Sequence, residues 1–213
     1  MKSFVLNALV GLFAIVLATP AFAYNSVIQT GDVVDPGGFQ AAIVPQYIIN
    51  RYQGVGLDAL LDVGIDNGSS ARGLIGIGNG VDFEVGGLYK YVPFPDTERQ
   101  PAIGGEAGVV FARTMGKSEI DFRFHPFISK KLETEIGDVS PYAALPIGLE
   151  LRDGQALLPI QLALGGELRP ISIPSLSFFL EAGGNVYQAF GYISGAVAWR
   201  FDEVAVKRPV KAQ

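Results

Sequence analysis

The chain has 213 residues, no cysteine, 27 glycines and a formal net charge of −5. The absence of cysteine excludes a disulfide framework, and the mild acidity argues against nucleic acid or any other polyanion as a partner. Mean hydropathy is positive, yet the longest uncharged run beyond the N-terminus, Ala182 to Trp199, carries four glycines with Asn185, Gln188 and Ser194, unlike an apolar membrane helix.

The first element reads as a secretory signal peptide over 1–23. Lys2 supplies a positive start, Phe4 to Leu17 a short apolar stretch, Pro20 a break, and Ala21-Phe22-Ala23 the small-x-small pattern of a cleavage site. The mature chain is then expected to begin near Tyr24, and without a cysteine there it has no lipoprotein anchor. About 190 residues remain, which suits one domain. Residues 24–38 are expected to form an N-terminal periplasmic segment, 39–201 the folded body and 202–213 a periplasmic tail.

Within the body, alternation of apolar and polar residues is the dominant signal, and a period of two sends successive side chains to opposite faces of a sheet. Phe39 to Asn50 is strand-like but weakly divided. Val55, Leu57, Ala59, Leu61, Val63 and Ile65 then oppose a face bearing Asp58 and Asp62. Ala71 to Asn79 is again weakly divided. Phe83, Val85, Tyr89 and Tyr91 oppose Asp82, Glu84 and Lys90, and Ile103, Ala107, Val109 and Phe111 oppose Glu106. The sharpest segment sets Ile120, Phe122, Phe124 and Ile128 against Asp121, Arg123, His125 and Lys131. Leu145, Ile147, Leu149 and Leu151 oppose Glu150 and Arg152. Leu158, Ile160, Leu162, Leu164 and Leu168 oppose Glu167, and Leu176, Phe178 and Leu180 oppose Glu181. Finally Ile193, Val197, Trp199 and Phe201 oppose Arg200. Asp153-Gly154 and Asn79-Gly80 are tight hairpin signals, because both dipeptides tolerate the positive φ of primed turns. The count is ten strands, with eight as the alternative, and the fold class is all-β, a closed antiparallel up-and-down barrel.

Alternation does not say which face is inside. Strands of roughly nine to eleven residues match the tilted crossing of a hydrocarbon layer. Aromatic residues gather towards segment ends (Tyr47, Tyr52, Tyr89, Tyr91, Phe94, Tyr142, Trp199, Phe201), and the polar face mixes both charge signs with glycine and alanine, as a narrow lumen would. These features favour a transmembrane barrel over a soluble periplasmic barrel holding an apolar ligand.

The signal peptide, the amphipathic strands and the ending Ser194-Gly-Ala-Val-Ala-Trp-Arg-Phe201 resemble small bacterial outer-membrane β-barrel proteins of roughly eight to ten strands. The resemblance covers the whole mature chain and rests on pattern. It implies an outer-membrane location, contact with outer-membrane lipid, and recognition of the terminal aromatic, here Phe201, by the barrel-assembly machinery. Two departures stand out: twelve residues follow Phe201, and with an even strand number the long breaks fall on the periplasmic side instead of the outer side.

No constellation carries chemistry convincingly, so no catalytic residue, metal site or cofactor is assigned and the chain is not expected to be an enzyme. His125 is the only histidine and would be the base of a lipid-modifying barrel enzyme. The hydroxyl nearest to it on its own face, Ser129, lies roughly 13 Å away at about 3.3 Å per residue, too far for a nucleophile–base pair. Gly116-Lys117-Ser118 lacks the first glycine of a phosphate loop, since position 111 is Phe111. The informative set is the inward charges: Asp58, Asp62, Asp82, Glu84, Lys90, Glu106, Asp121, Arg123, His125, Lys131, Glu150, Arg152, Glu167, Glu181 and Arg200. In a narrow barrel they either pair into a salt-bridged plug or line a slim, cation-preferring passage for small solutes or ions.

Overall fold

A computed structural model describes residues 26–49, 53–79, 81–114 and 116–201. The signal peptide at 1–23, the start near Tyr24, the aromatic at Tyr52, the turn residue Gly80 and the tail at 202–213 lie outside the described residues.

Thirteen strand segments make one antiparallel sheet: β1 Phe39–Ile48, β2 Gly54–Asp66, β3 Ser69–Gly78, β4 Phe83–Phe94, β5 Ala102–Thr114, β6 Lys117–Ser129, β7 Leu132–Thr134, β8 Gly137–Ala144, β9 Ile147–Arg152, β10 Gln155–Leu157, β11 Ile160–Pro170, β12 Leu176–Tyr187 and β13 Tyr192–Phe201. They form ten wall strands. β8 and β9 are one strand interrupted at Leu145-Pro146, and β10 and β11 are one interrupted at Leu158-Pro159, where proline has no N–H to give the ladder. The interruption is bridged: Gly148 donates to the Pro159 carbonyl and Gln161 to that of Pro146, both at 2.9 Å. β7 is a short extension of β6 that pairs with β8 beyond the body of the wall.

The sheet closes on itself, because β1 pairs with β13 from Phe39↔Phe201 to Ile48↔Tyr192. A closed sheet has no edge strand, which is the usual route to unwanted pairing. The ten-stranded count is therefore the one found. The two weakly divided segments, at 39–50 and 71–79, both contribute wall strands. The Asp153-Gly154 hairpin has both central residues at positive φ, 49° and 76°, as a type I′ turn requires.

The faces are resolved as the reverse of a water-soluble barrel. Outward positions are aliphatic and aromatic on every wall strand, including Ile43, Leu57, Ile75, Val85, Val109, Phe122, Leu149, Leu164, Leu180 and Val197. At the end shared by Phe39 and Phe201, aromatic rings gather across the closing seam. Phe201 stacks on Trp199 at 5.8 Å and meets Phe39 at 6.2 Å. The longer connections, 95–101, 130–136 and 171–175, also lie at this end, and the connections at the other end are mostly tighter.

Candidate functional site

The lumen collects most of the charges that alternation had pointed inward. Asp58, Asp62, Glu84, Lys90, Glu106, Asp121, Arg123, His125, Glu150, Arg152, Glu167 and Glu181 are buried there. Arg200 is half-buried at the mouth on the Phe39/Phe201 end. Asp82 and Lys131 depart from the expectation. Asp82 is exposed in the turn before β4, 3.9 Å from Arg113, and Lys131 is exposed past the end of β6, 2.7 Å from Asp138. Both lie just beyond the ladder, where a period of two no longer dictates direction.

Three guanidinium groups organise the interior. Arg72 grips Asp62 with Nε at 2.6 Å and Nη2 at 2.9 Å and lies 3.5 Å from Glu106, which in turn is 3.6 Å from His125 Nδ1. Arg123 joins Asp121 at 2.7 Å to Glu84 at 3.3 Å. Arg152 joins Glu119, through Nε at 2.6 Å, to Glu150 at 3.0 Å. Buried carboxylates outnumber buried fixed cations, nine to four among the described residues. An isolated buried charge costs several kcal/mol, so the excess has to be met by neutral donors. Three carboxylates are met in this way: the Gln46 amide donates to Asp58 at 2.9 Å, the Thr114 hydroxyl to Glu119 at 2.8 Å and the Ser177 hydroxyl to Glu167 at 2.6 Å.

The most heavily served carboxylate is Glu181. Tyr192 and Tyr142 donate their hydroxyls to its two oxygens at 2.6 and 2.7 Å. Each tyrosine ring lies over a glycine directly across the ladder, Tyr192 over Gly183 and Tyr142 over Gly165. A Cβ on Gly183 would come within 2.0 Å of the Tyr192 ring, and one on Gly165 within 2.4 Å of Tyr142. These glycines make the recesses that aim both hydroxyls at one acceptor.

The remaining donors to Glu181 come from outside the wall. The segment set apart from the body at 24–38 has its described residues 26–34 inside the barrel, not free beside it. Val27, Ile28, Gln29, Thr30 and Val34 are buried. The Val27 and Ile28 amides donate to the two Glu181 oxygens at 2.7 and 2.9 Å. From the facing wall, Arg72 donates to the Val27 carbonyl at 3.0 Å and to the Ile28 carbonyl at 3.3 Å. Closer to the mouth, the Gly31 amide donates to Ser129 Oγ at 2.7 Å, and the Thr30 hydroxyl to Glu167 at 3.0 Å. At the mouth itself Arg169 and Arg200 hold the Asp32 carboxylate at 2.5 and 2.9 Å, while Lys90 donates to its carbonyl. Burial raises the Asp32 carboxyl pKa, but the two guanidinium groups prevail and hold it down at about 2.

Apolar packing completes the fit. Ile28 sits in a cluster with Ala42, Val44, Leu60, Leu74 and Leu88, and Val27 packs with Val92, Ala102 and Phe127. At the far end Ile48, Val81, Ala112 and Phe190 form a separate buried cluster. A cavity of about 340 Å³ remains at the mouth, lined by Thr30, Gly31 and Asp32 of the segment and by Ser129, Lys131, Asp138, Glu167 and Arg169 of the wall.

Arg72, Glu119, Tyr192 and the inserted segment were not singled out in the sequence, and Tyr142, expected among the aromatics at segment ends, is instead buried in the lumen. One signal was available. Leu60, Leu74, Leu88, Val110, Phe127 and Phe179 are apolar residues on the polar faces, and β1 reads as weakly divided because Ala42, Val44 and Ile48 point inward. A lumen lined partly by leucine and valine implies an apolar object inside it.

No protein-family model and no curated protein matches the chain. Two solved structures are similar to it in architecture. One belongs to work on the de novo design of transmembrane β-barrels, with 12% identity, a TM-score of 0.41, and coverage of 78% of this chain and 98% of that one. The other is an outer membrane channel from Pseudomonas putida F1, with 5% identity, a TM-score of 0.48, and coverage of 84% of this chain and 100% of that one.

Proposed function

We propose that this chain is an outer-membrane β-barrel whose wall lies in lipid, with a structural or narrow-permeation role and not a catalytic one. The observation that carries the reading is the inverted wall. Forty-one large apolar side chains are exposed among the described residues. In water a band this continuous would exceed the few hundred Å² of apolar patch that soluble monomers expose, at the cost of association. A hydrocarbon solvent removes that cost, and a closed sheet with all its backbone groups paired is one of two forms that can sit there.

The lumen supports a resting state that is closed. The inserted segment, the ion-pair groups and the Phe190 cluster occupy it at successive depths, and the mouth cavity leaves room for water or small solutes at one end. Phe201, stacked at the seam beside Trp199, is suited to the terminal aromatic that barrel-assembly machinery reads. Catalysis has little support: Ser129 Oγ already accepts the Gly31 amide, and His125 faces Glu106.

Fractionation is the direct test of location. The chain is expected in the outer-membrane fraction and to need detergent for extraction; recovery from the soluble periplasm would end the membrane reading. In planar bilayers the full chain is expected to be silent or to show only small conductance steps. Sustained wide-pore conductance would contradict a closed lumen. If lipid hydrolysis is detected in the purified barrel, its loss in His125→Ala would overturn the non-catalytic reading.

A further inference from the structure

The contacts that hold residues 26–32 have an unusual chemistry for a stretch of a folded chain. Among the described residues, none of its backbone groups joins the hydrogen-bond ladder of the wall. Its main-chain groups are bound by wall side chains instead. The two oxygens of Glu181 take two consecutive amides, one guanidinium of Arg72 serves two consecutive carbonyls, Ser129 takes the Gly31 amide and Lys90 donates to the Asp32 carbonyl. Glu181 and Arg72 are themselves buried. This is how a receptor grips a peptide by its backbone, and Ile28 at φ 41° turns the chain so that adjacent groups face one side chain.

Three further features separate occupant from container. The wall closes through β1 and β13 without any help from the segment. The link between them is short and turned, with Gly37 at φ 82° and Gly64 admitting the chain where a Cβ would meet the Asp35 carbonyl at 2.0 Å. The mouth cavity lies directly beside Thr30 and Asp32, so the way out is open at that end.

We infer that the lumen is a binding site for a polypeptide main chain turned at one residue, and that residues 26–32, with Ile28 at φ 41°, are its resident, exchangeable occupant. The site takes a peptide whose backbone turns at the Ile28 position, so that two adjacent amides face Glu181, with small or aliphatic side chains for the Ile28 and Val27 niches. The inference rests on the barrel reading but not on permeation. Its test is made in detergent, so its failure is separable from failure of the bilayer experiment.

The chain has no cysteine, so Thr30→Cys places a single thiol on the buried segment. In the full-length protein this thiol is expected to react slowly with a maleimide. Excess synthetic peptide Ser-Val-Ile-Gln-Thr-Gly-Asp-Val should displace the segment and raise the rate roughly tenfold or more, the equivalent of losing one charge-assisted hydrogen bond. The same peptide N-methylated at its first Val and its Ile should have no effect. Glu181→Gln in the Thr30→Cys background should raise the rate without any peptide. Gln29→Cys provides a second position should the first variant not fold. Equal rates with and without peptide, together with no change in Glu181→Gln, would overturn the inference. So would equal displacement by the N-methylated peptide, because main-chain recognition by Glu181 would then be absent.

Discussion

Glu181 concentrates the design at the residue scale. Two tyrosine hydroxyls and two amides saturate one carboxylate, and the tyrosines reach it only because Gly165 and Gly183 yield their space. Gly183→Val is therefore expected to destabilise the barrel by about 1–3 kcal/mol through overpacking against Tyr192. The measurement is the shift in urea midpoint in detergent; an unchanged midpoint would mean the ring does not need the recess. Asp32 gives a pH prediction. Its folded pKa of about 2 lies below the unfolded 3.8, so its stabilising effect is present above the unfolded value and is lost as pH falls through the folded one. The urea midpoint of the wild-type barrel in detergent should accordingly exceed that of Asp32→Asn. This difference should hold from neutral pH down to about 4 and vanish near 2. A difference already lost at about pH 5 would disprove the clamp by Arg200 and Arg169.

At the scale of elements, the wall tolerates interruptions that would break an ordinary sheet. Pro146 and Pro159 sit side by side on adjoining strands, each accepting through its carbonyl the bond that the neighbouring strand offers. The hairpin at Asp153-Gly154 was legible in the sequence because its chemistry is local. Gly154 has φ 76°, a region that costs an L-residue about 1–2 kcal/mol, so Gly154→Ala should lower stability by about that amount. Equal urea midpoints for the two proteins would rule out the strain. The strands β1 and β3 were hard to read for a different reason: their inward side chains include Ala42, Val44 and Leu74, which meet Ile28 instead of water. Alternation weakens wherever both faces are apolar.

For the whole molecule, the arrangement is an oily exterior, a lumen of paired charges and a stretch of the chain's own backbone in the middle. The buried carboxylates accept hydrogen bonds from three kinds of donor: arginine, neutral side chains, and the amides of residues 27 and 28. The inserted segment thus contributes polar groups as well as apolar volume. Glu181→Gln should lose part of this match and lower the thermal midpoint in detergent by several degrees, on the order of 2–4 °C per kcal/mol for a domain of this size. An unaltered midpoint would indicate that the amides are as well served by water.

By itself the sequence determined what depends on near neighbours along the chain: eight segments of clear period two and two weaker ones, the turn at Asp153-Gly154, and the charged side of the clearly divided strands. Those follow from local backbone geometry, in which adjacent side chains must point oppositely. Only the tertiary structure decided which side is inside, since the same alternation serves a soluble barrel and its inverse. It alone placed Asp82 and Lys131 on the rims, gathered Tyr142, Tyr192 and Glu181 from three strands, and brought residues 26–34 into the lumen. The rim charges lie past the ends of the ladder and the tyrosines meet Glu181 across strand pairings, while the inserted segment joins residues as far apart as Val27 and Glu181; none of these leaves a trace in local spacing.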